Sequence, residues 1–256
     1  RATASAEPIR KGAHTSYKAR GKKQKQEELF PDLLKELEKK RAERDRGVQF
    51  TEKERFGTAF RQELAKLSMD RIGGSEAEKR MFFDRVIAKY PDVYWVDGCP
   101  APTVKSKLIH FNLKAGSAPK ARQPIPLSPY DDLRVEFHIE ENLHEGKIRK
   151  IRPDKGEPLP EWATPVFVVD QDAKGLLGRL VCAYGVVNSA MELPTFPSAD
   201  PQRAFDMAAG KRHHTVVDAI WGYTLFLLDE STRKLLVICT RSGLYEWLRM
   251  PFRPAP

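Results

Sequence analysis

The stretch HHTVVDAIWGYTLF, His213 to Phe226, organises the reading of this chain. A short apolar run, Thr215 to Val217, ends in the acid Asp218, and the aromatic Tyr223 follows behind Gly222. Adjacent β-branched residues favour a buried strand, so Thr215 to Asp218 reads as one, with Asp218 at its end and Tyr223 on the turn beyond. A carboxylate in that place either caps the turn or ligates a hard cation. The paired His213 and His214 would point to opposite faces of an extended chain, so they read as structural or solvated. Residues 224–228 read as the start of a helix or a strand. Downstream, Lys234 to Thr240 reads as a further strand, and GLYEWLRMPF, Gly243 to Phe252, pairs with it or turns.

Upstream, TPVFVV (Thr164 to Val169) and RLVCAY (Arg179 to Tyr184) are strand-like, and DAKG between them reads as a hairpin turn. Ser128-Pro129 opens a helix running to about His144, with Gly146 as its stop signal. Asp200 to Ala209 is a short helix ended by Gly210. Residues 91–130 are proline-rich and read as an extended connector with one or two edge strands. Before them, Ser75 and Glu78 form a capping-box pattern for a helix ending near Tyr90, with Met81, Phe82, Val86 and Ile87 inward. A helix from about Thr51 to Met69 precedes it, with Phe56, Phe60, Leu64 and Leu67 on one face. From Glu27 to Arg46, Leu29, Leu33, Leu34 and Leu37 mark a charged amphipathic helix, solvent-bridging or coiled against a partner, with Pro31 in its first turn. Residues 1–25 carry almost no large apolar groups, and disorder is the expectation there.

The chain has 256 residues, of which 41% are hydrophobic and 31% charged, which points to an ordered core plus a solvated part. Its net charge of +9 suits either a polyanionic partner such as nucleic acid or a merely solubilising basic tail. Cys99, Cys182 and Cys239 are far apart and form no CxxC pair, so zinc has little support and a reducing compartment, cytoplasm or nucleus, fits best. The Ala-, Ser- and Arg-rich start, which begins at Arg1, is also compatible with a processed transit segment and an organelle. No apolar run approaches a membrane span. Neither an internal repeat nor a glycine-rich phosphate loop is found.

From about Asp92 onward, the order of motifs resembles the reverse transcriptase of gypsy-type LTR retrotransposons. YPDVYWVD (Tyr90 to Asp97) looks like the connector upstream of such polymerases, and KLIHFNLKAGSAPKARQPIPLSP (residues 107–129) like the entry to the fingers. The helix over residues 130–145 followed by GKIRKI, then Trp162-Ala163-Thr164-Pro165-Val166, then RLVCAYGVVN ending at Asn188, match successive elements of that family. The resemblance implies an α+β fold: a basic tail and helices, then an incomplete right-hand polymerase of fingers and partial palm with an antiparallel sheet. It divides the chain into residues 1–47, a basic tail and charged helix; 48–124, a helical connector and proline-rich linker; and 125–256, fingers and partial palm.

The same resemblance assigns roles. Asp218 would be a catalytic carboxylate holding Mg²⁺ for nucleotidyl transfer by a two-metal mechanism. Arg179, Lys174, Ala219 and Tyr223 would receive the nucleotide. Arg179 would pair with its triphosphate, and Tyr223 would lie under the sugar and exclude a 2′-hydroxyl. Trp162, Pro165, Asn188, Met250, Pro251 and Phe252 would line the template–primer. Three departures stand out. Arg253 follows Met250-Pro251-Phe252 where the family has glycine. Ala183 and Gly185 replace an Asp and an Arg. The turn Asp170-Gln171-Asp172-Ala173-Lys174 leaves Lys174 as its one candidate phosphate contact. The Y-x-D-D motif that supplies further carboxylates does not occur among the 256 residues. The expectation is a stretch of reverse transcriptase, binding template–primer and deoxynucleotide, that does not polymerise alone. The alternative is a retained retroelement-derived scaffold that binds RNA or a protein partner covering an incomplete palm.

Overall fold

The computed structural model describes residues 13–47, 51, 54, 57–96, 98–99, 103–192, 200–211, 222–252 and 254, with the side chains of 13–25, 92, 105–107 and 174 excepted. In chain order its helices and strands are α1 (Ala13–Arg46), α2 (Thr58–Met69), α3 (Glu76–Phe82), β1 (Val104–Ile109), α4 (Pro129–His144), β2 (Ile148–Lys150), β3 (Thr164–Val169), β4 (Arg179–Cys182), α5 (Gly185–Ala190), α6 (Pro201–Ala208), β5 (Phe226–Leu228), α7 (Glu230–Leu235), β6 (Ile238–Thr240) and β7 (Gly243–Trp247).

The central sheet has the order β2-β7-β6-β3-β4. The expectation of an antiparallel sheet needs correcting: β3 and β6 run parallel, while the other neighbours are antiparallel. A parallel pair requires a long crossover, and the chain between β3 and β6 supplies one that contains β4, three helices and β5. A second, two-stranded sheet pairs β1 with β5 in parallel. Thus the proline-rich connector is tied to the downstream chain, and bridges Leu113–Met191 and Ala121–Ala163 continue the attachment.

Pro165 sits where its missing N–H costs least. Opposite it, Ala183 N–H donates to Pro165 O at 3.0 Å, and the β3–β4 ladder proper begins one residue on, at Val166 and Cys182. The main core gathers Val135 and Ile139 of α4 with Trp162, Val166, Val168, Tyr184, Val187, Met191, Leu228, Ile238, Tyr245 and Trp247. Helix α4 starts as its sequence dictates. Ser128 accepts from the Asp131 N–H at 3.1 Å, Pro129 takes the first turn, and Asp131 and Asp132 face the positive end of the helix dipole.

Several expectations change. Helix, not disorder, starts at Ala13, and Pro31 lies inside α1 rather than in its first turn. Helix α1 is anchored within its own chain: Leu33 and Leu37 bury against Tyr130, Phe137 and Leu177, and Arg41 and Arg44 pair with Glu140 and Glu141 of α4. Once such a docked stretch has paid for nucleation, further turns propagate cheaply. The second helix begins at Thr58, not Thr51. Met81, Phe82 and Val86 face outward, not inward. A π-turn over Phe83–Ile87, in which the Ala88 N–H reaches back to Phe83 O, adds a residue to the turn and rotates the face. Ile87 and Phe83 therefore pack with Phe60, Leu64, Val96 and Cys99. The expected strand over residues 234–240 is instead the end of α7 followed by β6. Asp229 caps α7 by accepting from the Thr232 N–H at 2.8 Å, which starts a helix inside an apolar run. The strand expected over 215–218 and the paired histidines lie outside the described residues.

Candidate functional site

Three of the residues singled out in the sequence meet at the surface, from three separate stretches of chain. The ring of Phe252 stands edge-on to Tyr223, with centroids 5.5 Å apart and planes at 71°. The guanidinium carbon of Arg179 lies 4.9 Å from the centre of the Phe252 ring. Tyr223 and Phe252 remain 56% and 45% exposed, which is unusual for stacked aromatics that serve only the core. Among the described residues, no hydrogen bond or ion pair engages the Arg179 guanidinium. Its face rests against that ring.

Backbone pairing explains the meeting. After β7 the chain turns back along β5: Leu227 bridges Arg249, Leu228 N–H donates to Leu248 O at 3.1 Å, and Met250 N–H donates to Phe226 O at 2.9 Å. The Arg249 guanidinium adds a bond to Thr224 O at 3.2 Å. Continuing that antiparallel register brings Phe252 alongside Tyr223. Arg179 arrives from the start of β4, where it pairs with Val169 of β3.

The remaining predicted residues separate into groups. Trp162 and Pro165 are buried, Trp162 in the main core and Pro165 within β3. Pro251 is also buried and Met250 packs partly against the core, leaving Phe252 as the exposed member of that loop. Asn188 is half-buried in α5, with its N–H bonded to Tyr184 O. Lys174 has its backbone in the 3₁₀ segment between β3 and β4, and its side chain lies outside the described residues. Asp218, Ala219 and Arg253 lie outside them as well.

Two arrangements escaped the sequence reading. Arg134 of α4, 1% exposed, donates from Nε to Leu177 O at 3.1 Å, from one terminal nitrogen to Asp131 at 3.0 Å and from the other to Asp170 at 2.9 Å. A basic residue on the buried face of a helix, three positions after an acid, was the available signal. The second is His110, whose Nδ1 meets Asp229 and whose Nε2 meets Asn112 Oδ1 at 2.9 Å. The bonds to Asp229 and Asn112 raise its pKa above the usual histidine value. Desolvation works against the Asp229 carboxylate, but hydrogen bonds from Thr232, His110 and Ser231 hold its pKa well below the usual carboxylate range. Ser231 Oγ approaches the same Nδ1 at 3.3 Å, so the serine and the acid share one ring nitrogen. A nucleophile–base–acid relay needs them on opposite nitrogens, and this cluster is structural. Burial pushes the Cys182 thiol up to about 12 and the Cys239 thiol up to about 11, which leaves both protonated and unreactive near neutrality.

No protein-family model matches the chain. It is 29% identical, over 161 residues covering 60% of its length, to the retrovirus-related Pol polyprotein from transposon 297 of Drosophila melanogaster, of which it spans 14%. Among solved structures it resembles the prototype foamy virus protease–reverse transcriptase, a CSH mutant, at a TM-score of 0.51 and 17% identity, covering 75% of this chain and 24% of that one. A foamy viral protease–reverse transcriptase in complex with dsDNA also matches, at a TM-score of 0.51 and 15% identity, covering 75% of this chain and 36% of that one. The chain is thus similar in sequence to part of a transposon Pol polyprotein and in fold to foamy-virus protease–reverse transcriptases, and it spans well under half the length of each.

Proposed function

We propose that residues 125–256 form the fingers and the first part of the palm of an RNA-directed DNA polymerase, and that Arg179, Tyr223 and Phe252 receive a deoxynucleoside triphosphate beside a template–primer. The carrying observation is the meeting of these three residues from distant stretches, with the guanidinium edges of Arg179 unengaged among the described residues. A planar guanidinium recognises phosphate oxygens in a bidentate manner, while its face stays on the ring. The exposed Tyr223 ring would meet the sugar and Phe252 the template side. The net charge of +9 supports attraction of the polyanionic duplex.

Magnesium, which the resemblance implies, would be held by Asp218 with further carboxylates. No group of three His, Cys, Asp or Glu side chains among the described residues is placed to hold an ion, and Asp218 lies outside them. The activity proposed for this chain is binding of template–primer and nucleotide, with Asp218 contributing a carboxylate to nucleotidyl transfer in the intact enzyme. Residues 1–47 and 48–124 would serve as a basic extension with a bracing helix and as a connector. Among the described residues, no helix is long and apolar enough to cross a membrane.

The test is titration of the chain and a primer–template duplex with a fluorescent deoxynucleoside triphosphate. Arg179→Ala should weaken triphosphate binding by about tenfold, the worth of a charge-assisted contact. Tyr223→Val should narrow the preference for deoxy- over ribonucleotides. Unchanged affinity in Arg179→Ala would sink this reading. Salt-sensitive binding to generic RNA with no response to nucleotide would favour the scaffold alternative instead.

A further inference from the structure

We propose that Arg134 is a positioning residue for nucleotide recognition, holding Arg179 in place through the base of the β3–β4 turn. The proposal rests on the reading of Arg179 as the triphosphate contact. The geometry is that of a clamp. Asp170 immediately follows the last residue of β3, and Leu177 lies two residues before Arg179. Arg134 binds both at once, through Asp170 Oδ1 at 2.9 Å and Leu177 O at 3.1 Å, and is itself tied to its own helix through Asp131 at 3.0 Å. Its guanidinium also lies over the Tyr130 ring, 5.2 Å from the centroid. One side chain thus fixes the separation and height of the two strand ends relative to α4.

Gly178 shows how tightly the clamp is built. It stands directly before Arg179 with φ of +59°, and a Cβ added there would lie 2.1 Å from an Arg134 terminal nitrogen and 2.5 Å from Val169 O. Backbone therefore touches the guanidinium, and the position of Arg134 determines where β4 begins. Helix α1 closes the outer side: Leu33 and Leu37 pack with Leu177, and Glu36 reaches the neighbourhood of Gly175. The segment between the strands is thus held from both sides, and Arg179 leaves it already aimed at Phe252.

Asp170 offers a test that spares the core, because its side chain is 80% exposed while that of Arg134 is 2% exposed. With the full chain, a primer–template duplex and a fluorescent deoxynucleoside triphosphate, Asp170→Asn should weaken triphosphate binding by about threefold to tenfold, the loss of one charged hydrogen bond transmitted to Arg179. Amide exchange across residues 171–180 should quicken in the same variant, and Asp170→Glu should restore both. Arg134→Lys, which cannot make all three contacts, should repeat the effect more strongly. Arg179→Ala is the control. If Arg179→Ala weakens binding while Asp170→Asn and Arg134→Lys leave it unchanged, the positioning role is overturned and the nucleotide reading stands. If Arg179→Ala itself changes nothing, both fall together. A lowered melting temperature in Arg134→Lys with unaltered triphosphate affinity would reduce the clamp to a purely structural one and overturn the proposal.

Discussion

Two arginines, Arg134 of α4 and Arg179 at the start of β4, show how one residue type serves opposite ends around a single strand pair. Arg134 is buried, and its three donating nitrogens end on oxygens of its own chain. Arg179 is half-buried, rests its face on Phe252, and finds no anion among the described residues. A buried guanidinium must be satisfied internally, because the cost of desolvating it is otherwise unmet. A guanidinium at the surface can remain open, because water satisfies it until a ligand arrives. The difference separates a charge that shapes the fold from the charge proposed above to meet a triphosphate.

Four outcomes would break or sharpen that contrast. The largest effect is expected at the clamp: Arg134→Met should cost about 3 kcal/mol of unfolding free energy in urea titration, because Asp131 loses its buried partner and two strand ends lose their tie. A cost near zero would erase the distinction between the two arginines. Next, Gly178→Ala should cost about 2 kcal/mol, since the added Cβ meets both Arg134 and Val169 O at a left-handed φ. A neutral result there would mean that β4 can shift freely, against the idea of a fixed strand start.

A smaller effect is expected away from the strand pair, where His110 joins β1 to the cap of α7. The raised pKa of His110 means that its pairing is fully present below the ordinary histidine value of about 6.5 and fades as pH rises through the raised value. The depressed pKa of Asp229 means that its share is present above about 3.9 and is lost as pH falls through the lowered value. The melting temperature of the wild type should therefore exceed that of His110→Asn most between about pH 4 and 6.5, with the gap narrowing above. A gap independent of pH would mean that the imidazole acts there by shape alone. The smallest effect is expected at Arg179→Ala, which should alter stability by less than about 0.5 kcal/mol while weakening triphosphate binding. A large stability loss would mean that Arg179 belongs with Arg134 after all.

Much of the local structure was legible in the sequence. Ser128-Pro129, the Ser75–Glu78 box and Asp200-Pro201 announce helix starts, because capping depends on a few adjacent side chains. The strand pair over 164–184 and its short turn were legible from their residue types. The face of the 76–87 helix was not, because a π-turn changes the period on which the reading depends. Nor was the extent of α1, since Leu33 and Leu37 acquire their value only from Tyr130, Phe137 and Leu177, about a hundred residues away. The site divided in the same way. Arg179, Tyr223 and Phe252 were legible as candidates, whereas the burial of Trp162 and Pro165 was not.

By itself, then, the sequence determined the helix starts, the motif order that points to a retroelement polymerase, and the identity of the exposed aromatic and cationic candidates. These depend on short-range chemistry or on linear order. The tertiary structure alone decided that β3 and β6 run parallel, that the Phe252 loop folds back beside Tyr223, and that Arg134 grips the base of the turn that delivers Arg179. Those outcomes depend on which distant oxygens and rings come within a few ångströms of one another, and contact at that range is a property of the packed chain.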